Sequence, residues 1–342
     1  MASVRDWVEG ARLRTLPASA SPVIAGWGVA WFVGRYAGPP AGTGAALALV
    51  LAVLTLIVGL SLQLGCNFAN DYSDGVRGTD AHRVGPMRLV GSGAARPAAV
   101  KRAAWLAFGV AALAGLAAVA WGSGLVAALA DWPGASALVT PGVLLLIGAA
   151  CVVAAWFYTG GQRPYGYAGL GEVFVFIFFG LVAVLGTVFL LAPTVCVAGS
   201  PTSTACQGCS RAVAWVPGLI TGVVMGWLAT AILVANNLRD LDSDRAAGKF
   251  TLPVKLGERW SRRLYAGLVI AAGVGLVVLA AVTTWWALLA LLGVALLAAP
   301  VAQVLRGATG PALIGVLKAT GLAELATAVL LVAGLGIGWA HG

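Results

Sequence analysis

Six of the twelve acidic residues in this chain fall in two short stretches. Asp71, Asp74 and Asp80 follow Asn67 and Asn70, and Asp240, Asp242 and Asp244 follow Asn236 and Asn237. At ~100° per helical residue, Asn67, Asn70, Asp71 and Asp74 share about a 100° arc, and Asn236, Asn237, Asp240 and Asp244 share another. Asp242 points to the opposite side. Like charges gathered near an apolar medium are unfavourable unless a cation sits among them. Carboxylate and amide oxygens are hard ligands suited to Mg2+, which commonly joins protein carboxylates to substrate phosphates. Basic residues interleave with the acids: Arg77, Arg83 and Arg88 beside the first stretch, Arg239, Arg245, Lys249 and Lys255 beside the second. Acids alone would suggest metal uptake. Acids mixed with Arg and Lys suggest a metal together with a polyanion, and a diphosphate fits both. Solvated loop charges would explain the basic residues, but not twinned Asn/Asp stripes on two distant helices.

The elements that must position these stripes are membrane helices. The chain has 342 residues, 60% hydrophobic and 10% charged, with a mean hydropathy of +0.95; soluble domains carry about 25% charged residues. Apolar runs long enough to span a bilayer, ~20 residues each, cover about 16–36, 44–68, 100–122, 138–158, 170–191, 213–236, 263–282, 284–302 and 316–338. They are continuous where a β-barrel would alternate. The expectation is an all-α polytopic protein, a single integral-membrane domain of about nine transmembrane helices, with loops too short for a separate soluble domain. The division between the seventh and eighth spans is the least distinct, since only Thr283, Thr284 and two tryptophans separate them.

With the N-terminus inside, 19 of the 21 lysines and arginines fall on inner segments, leaving Arg35 and Arg211 outside. That is a strong positive-inside pattern, and the expected location is the plasma membrane. Both acidic stretches then lie on the cytoplasmic face, at the inner ends of the second and sixth spans. The net charge of +9 is expected on that face, part of it against anionic lipid of the bilayer, and nucleic acid is a poor explanation for it. No cleavable signal peptide is evident, because Ala18-Ser19-Ala20 precedes the apolar run instead of following it. Residues 1–14 read as an interfacial helix, with Val4, Trp7 and Ala11 on one face, or as a frayed tail. Cys66 and Cys151 read as packing residues. Cys196, Cys206 and Cys209 fall in an outer loop, 193–212, where a disulfide is permitted and no His or further Cys pair completes a zinc site. His82 and His341 read as incidental. Glu172 reads as a helix N-terminal acid or a site residue. Glu324, inside a span, is a functional residue by default or a protonated group in a polar interior.

The motifs resemble a known family. Asn70-Asp71-Tyr72-Ser73-Asp74 with Gly78-Thr79-Asp80, and Asn236 to Asp244, are similar to the paired Asp-rich motifs of the UbiA superfamily of intramembrane prenyltransferases. Arg14-Thr15-Leu16-Pro17-Ala18, Arg88-Leu89-Val90, Tyr158-Thr159-Gly160-Gly161, Gly169-Leu170-Gly171-Glu172 and Gly248-Lys249-Phe250-Thr251-Leu252 resemble its 1,4-dihydroxy-2-naphthoate polyprenyltransferase branch. The likeness runs from about residue 10 to 338, without the Cys-bearing outer loop, and Arg77 stands where a lysine is commoner. It implies nine helices around a central cavity capped by cytoplasmic loops, a Mg2+ cofactor, a polyprenyl diphosphate donor and an aromatic acceptor. Carried over, Asn70, Asp74, Asp80, Asp240 and Asp244 hold the metal. Asp71, Asp74, Asp240, Asp244 and Lys249 are the catalytic set. Asn67, Arg77, Arg88, Tyr158, Asn236, Asn237 and Arg239 bind substrate.

The implied reaction is loss of diphosphate from an allylic carbon, attack by the naphthoate ring and loss of carbon dioxide, giving demethylmenaquinone. Lys249, Arg239 and Arg88 are candidates for holding the diphosphate or the acceptor carboxylate. Tyr158, Tyr72 or Tyr165 would shield the developing cation with a π face, or serve as interfacial belt residues. Alternatives are another acceptor on the same scaffold, 4-hydroxybenzoate, homogentisate or a porphyrinoid, and a secondary transporter. Against transport, the acids sit at the same end of two helices and midplane charges are few.

Overall fold

The structure is a computed structural model that describes residues 2–34, 43–79, 87–123, 125, 138–192 and 204–341. These form helices and turns, with no strand among the described residues. Helix α1 (Val4–Ala11) begins at a reciprocal cap: the Ser3 hydroxyl accepts from the Asp6 amide, and the Asp6 carboxylate accepts from the Ser3 amide. Two otherwise orphaned donors are satisfied in this way. The chain then passes through Arg12, at φ 53 and ψ 53, and a 3-10 turn (Leu13–Thr15) into α2 (Leu16–Gly34). There follow α3 (Thr43–Arg77), α4 (Pro97–Gly122), α5 (Val139–Phe157), α6 (Gly171–Leu191) and α7 (Thr204–Arg239). Two short helices, α8 (Leu241–Ala246) and α9 (Leu252–Leu256), lead to α10 (Glu258–Val282). A 3-10 turn (Trp285–Ala290), α11 (Leu291–Ala295) and α12 (Ala298–Leu305) precede α13 (Ala312–His341).

Eight of the described helices are long and apolar enough to cross a bilayer. The ninth expected span, 284–302, is a broken one: Trp285–Ala295 and Ala298–Leu305 meet at 43°. Its path follows the face of α13. A Cβ on Gly334 would strike the Trp286 carbonyl, one on Gly338 would strike Thr284, and one on Gly293 would strike Thr327. Helices α3 and α7, of 35 and 36 residues, continue past the expected span ends at 68 and 236. At 1.5 Å per residue each is over ~50 Å long, against a hydrocarbon core of ~30 Å. The Asn/Asp motifs therefore ride on rigid helical extensions, and α3 stops only where Gly78 takes a left-handed φ of 74°.

Apolar burial does little to drive helix association in lipid, so close packing must. In α6 a π segment, Phe176–Val182, brings Gly180 against Gly222 and Gly226 of α7, and a Cβ there would lie 2.5 Å from the Gly222 carbonyl. A continuous buried layer joins α7, α10 and α13 through Val224, Leu228, Leu276, Leu279 and Leu331. On the other side Leu106 and Leu113 of α4, with Leu146 of α5, are exposed, as suits a lipid face. The chain is a multi-pass membrane protein.

Candidate active site

Helices α2 to α7 and α13 enclose one cavity of about 850 Å³, while α10 to α12 pack behind and contribute none of its described lining. Its walls are mostly apolar. Along α3 it runs from Thr55 to Asp74, ~28 Å of helix, close to the thickness of a bilayer core. The two Asn/Asp motifs meet at one end of it.

Asp74 organises the first motif. Its carboxylate is buried and faces Lys249 Nζ at 3.2 Å and Arg88 Nη2 at 3.7 Å. It also accepts from the Tyr167 hydroxyl at 2.6 Å. Burial first, and the Asp74 charge second, push the Tyr167 hydroxyl above its ordinary range, so it remains protonated as a donor. Lys249 Nζ lies 4.6 Å from the Tyr167 ring centroid, and its backbone amide donates to the Asp244 carbonyl. Lys249 thus joins the second motif to the first. Asn70 Oδ1 accepts from the Thr159 hydroxyl at 2.8 Å.

In the second motif Arg239 grips Asp240 with two bonds, Nε to Oδ1 at 2.7 Å and Nη2 to Oδ2 at 2.6 Å, and Nη2 also reaches Asn236 Oδ1 at 3.0 Å. Asp240 leaves the α7 geometry, at φ −93 and ψ 10, and starts α8. Asp244 lines the cavity, while the Asp242 side chain is 98% exposed, facing away as its helical phase requires.

Some of the expected site residues do other work. Asp71 does not face the cavity. It is fully buried, and its two oxygens accept the backbone amides of Leu89 and Val90 at 2.8 and 3.0 Å, which anchors the segment carrying Arg88. Arg77 lies outside the lining, where its guanidinium donates to the carbonyls of Thr159 and Gly161 and sits 5.5 Å from the Tyr167 ring. Asn67 lines the cavity, but its amide nitrogen is taken up by the Ala11 carbonyl and the Thr15 hydroxyl. Asn237 donates to Glu172 Oε1 at 2.9 Å, so Glu172 ties α6 to α7 beneath the second motif. Tyr72 stacks on Trp156, away from the lining, with Lys101 above it. Tyr158 and Tyr165 do line the cavity, and Tyr165, Phe174 and Phe178 form a stacked row at 4.0 and 6.0 Å. Tyr167, Phe174 and Phe178 carry no motif signal and were not anticipated. Cys66 and Cys151 are free thiols in the lining. Asp80, Arg83 and His82, and the side chains of Cys196, Cys206 and Cys209, lie outside the described residues.

The donor set fits Mg2+ of a particular kind. Among the described residues no three Asp, Glu, His or Cys side chains form a metal site by themselves. One carboxylate from each motif with neighbouring amide oxygens is nevertheless the partial ligand set that Mg2+ uses when substrate phosphates complete its shell.

These features define a membrane-embedded protein with paired carboxylates and cations at one end of an apolar chamber. The chain belongs to the UbiA prenyltransferase family, whose sequence profile matches residues 23–313. It is 42% identical to the 1,4-dihydroxy-2-naphthoate octaprenyltransferase of Mycobacterium leprae over 98% of this chain and 97% of that protein. It is 43% identical to that of Mycobacterium tuberculosis over 99% of each, and 35% identical to that of Escherichia coli over 96% and 94%. The fold is similar to the apo UbiA homolog from Aeropyrum pernix, with a TM-score of 0.55, 16% identity and 92% and 97% coverage. It is also similar to the UbiA homolog from Archaeoglobus fulgidus bound to GPP and Mg2+, with a TM-score of 0.53, 13% identity and 97% and 99% coverage.

Proposed function

We propose that the chain transfers a polyprenyl group from a polyprenyl diphosphate to 1,4-dihydroxy-2-naphthoate, releasing diphosphate and carbon dioxide and forming the quinol of demethylmenaquinone. The observation that carries this reading is the meeting of both Asn/Asp motifs with Arg88, Lys249 and Arg239 at one end of a long apolar chamber. Relatives bearing the naphthoate octaprenyltransferase name over nearly the whole chain support the acceptor.

Asn70, Asp74, Asp240 and Asp244 would hold Mg2+. Bound there with the diphosphate, the ion supplies charge neutralisation that makes it a better leaving group. The chain's own residues do the rest. Arg88, Lys249 and Arg239 exchange their carboxylate partners for diphosphate oxygens, a stronger set of charge-assisted bonds. As the allylic C–O bond lengthens, positive charge grows on the prenyl carbon, and the faces of Tyr158, Tyr165, Phe174 and Phe178 stabilise it. The apolar walls exclude water, which would otherwise trap that cation. The prenyl tail lies in the chamber, continuous with lipid. The naphthoate ring then attacks the prenyl carbon, and the C–C bond to its carboxylate breaks to restore the aromatic ring. The motif end of the chamber and the N-terminus face the cytoplasm, in keeping with the distribution of basic residues.

The test is prenyl transfer by membranes containing this chain, with polyprenyl diphosphate and 1,4-dihydroxy-2-naphthoate. The expected result is a prenylated quinol that requires Mg2+. Asp74→Asn or Asp240→Asn should lower its rate at least about a hundredfold, the scale of losing one charge-stabilising group. Undiminished activity in both variants would remove the metal role from these residues. Turnover of 4-hydroxybenzoate but not the naphthoate would change the acceptor.

A further inference from the structure

Among the described residues, six cationic side chains line the chamber against three carboxylates. Arg88 and Lys249 are paired with Asp74, and Arg239 with Asp240. The other three, Arg12, Arg14 and Lys318, are carried by other elements, the turn into α2 and the first turns of α13. These two pieces pack together: a Cβ on Gly321, three residues beyond Lys318, would touch Pro17 and the Arg14 carbonyl.

Arg12 carries the argument. Its Nη2 atom is buried with no hydrogen-bond partner, and a guanidinium nitrogen taken out of water without a partner is costly. Its backbone is the single non-glycine position at positive φ among the described residues, a conformation L side chains disfavour. Four bonds impose it. The Asn67 amide nitrogen donates to the Ala11 carbonyl at 2.9 Å and to the Thr15 hydroxyl at 3.0 Å. Gln63 donates to that hydroxyl at 3.2 Å, and the hydroxyl donates to the Arg12 carbonyl at 2.9 Å. Strain held in place by surrounding bonds is characteristic of sites that bind something.

We infer that Arg12, assisted by Lys318, is the subsite for the carboxylate of the aromatic acceptor, carried by other elements than those that hold Arg88, Lys249 and Arg239. The inference rests on the prenyl transfer proposed above. Both substrates are anions, and one cationic cluster would let them compete for it. Two clusters sort them: Arg88, Lys249 and Arg239 take the diphosphate, and Arg12 takes the carboxylate. A planar guanidinium also matches a carboxylate in a two-bond geometry that an ammonium cannot reproduce. Arg12 is on this account a specificity residue that acts before the carboxylate departs as carbon dioxide.

Arg12→Gly is the informative variant, because glycine adopts a φ of 53° without strain. Its melting temperature should not fall, so a loss of function would not be a loss of fold. With the two substrates varied separately, the KM for the naphthoate should rise roughly 10- to 100-fold, the loss of one charge-assisted hydrogen bond. The KM for polyprenyl diphosphate should stay unchanged, and Arg12→Lys should recover part of the loss. As competitive inhibitor, 1,4-dihydroxynaphthalene, which lacks the carboxylate, should bind the native chain more weakly than the naphthoate does and bind the variant about equally. A raised donor KM with an unchanged acceptor KM would put Arg12 on the diphosphate and overturn the inference. So would no change in either KM. If the native chain prenylates a different aromatic acid, the naphthoate reading fails separately, and the same KM comparison made with that acid upholds or overturns the subsite.

Discussion

Asp71 and Asp74 stand three residues apart on one helix and do different work. Both fall in the ~100° stripe that helical spacing predicts, but a stripe that wide borders two neighbours. Asn70 and Asp74 face the chamber, while Asp71, at the stripe's edge, binds the Leu89 and Val90 amides. Asn237 repeats the pattern on α7, turning its amide to Glu172. Asp71 is therefore a positioning residue for Arg88. Replacing it by Ala strands the buried Leu89 amide, at about 1–3 kcal/mol, and the part-buried Val90 amide. Hydrogen exchange at Leu89 and Val90 in Asp71→Ala should accelerate roughly tenfold or more, activity should fall, and the Mg2+ concentration for half-maximal rate should not move. Protected amides with a shifted Mg2+ requirement would instead make Asp71 a metal ligand. Residue type and spacing announced the stripes. They did not announce which edge meets a loop, because the loop's position depends on contacts far away in the chain, such as Leu89 beneath Gly10.

Hydropathy placed the helices well and their ends less well. It ended α3 at 68 and α7 at 236, where apolar residues stop, yet both helices continue to Arg77 and Arg239. Polar side chains do not end a helix while its backbone bonds are satisfied, and Gly78 supplies the stop. The π segment of α6 left no trace in the apolar pattern. It brings Phe178 and Phe179 to the chamber wall and Gly180 onto α7. Gly180→Ala should overpack that contact by about 1–3 kcal/mol, measured as a lower midpoint of unfolding in mixed detergent, whereas Gly148→Ala, whose Cβ would meet nothing within 4 Å, should leave it unchanged. Equal midpoints for the two variants would mean that the α6–α7 contact is slack.

At the scale of the bundle, charge sets orientation and packing sets the chamber. In a cysteine-free background, Ser203→Cys should react with an impermeant thiol reagent from outside intact cells, and Arg163→Cys only after the membrane is opened. The reverse pattern would invert the topology and put both motifs on the outer face. Composition and charge periodicity were enough for an all-helical membrane bundle, its span count and the pairing of two distant Asn/Asp motifs, because burial in lipid forces long apolar runs and these are written locally along the chain. Nothing local says that α10 to α12 stay out of the chamber, that Lys249 reaches Asp74 across 175 positions, that Tyr167 holds the other side of that carboxylate, or that the Arg12 turn presents a cation to the chamber. Those relations exist only once helices far apart in the chain pack together, since small residues such as Gly180 and Gly334 set how closely the backbones approach, and that spacing fixes which side chains face the same space.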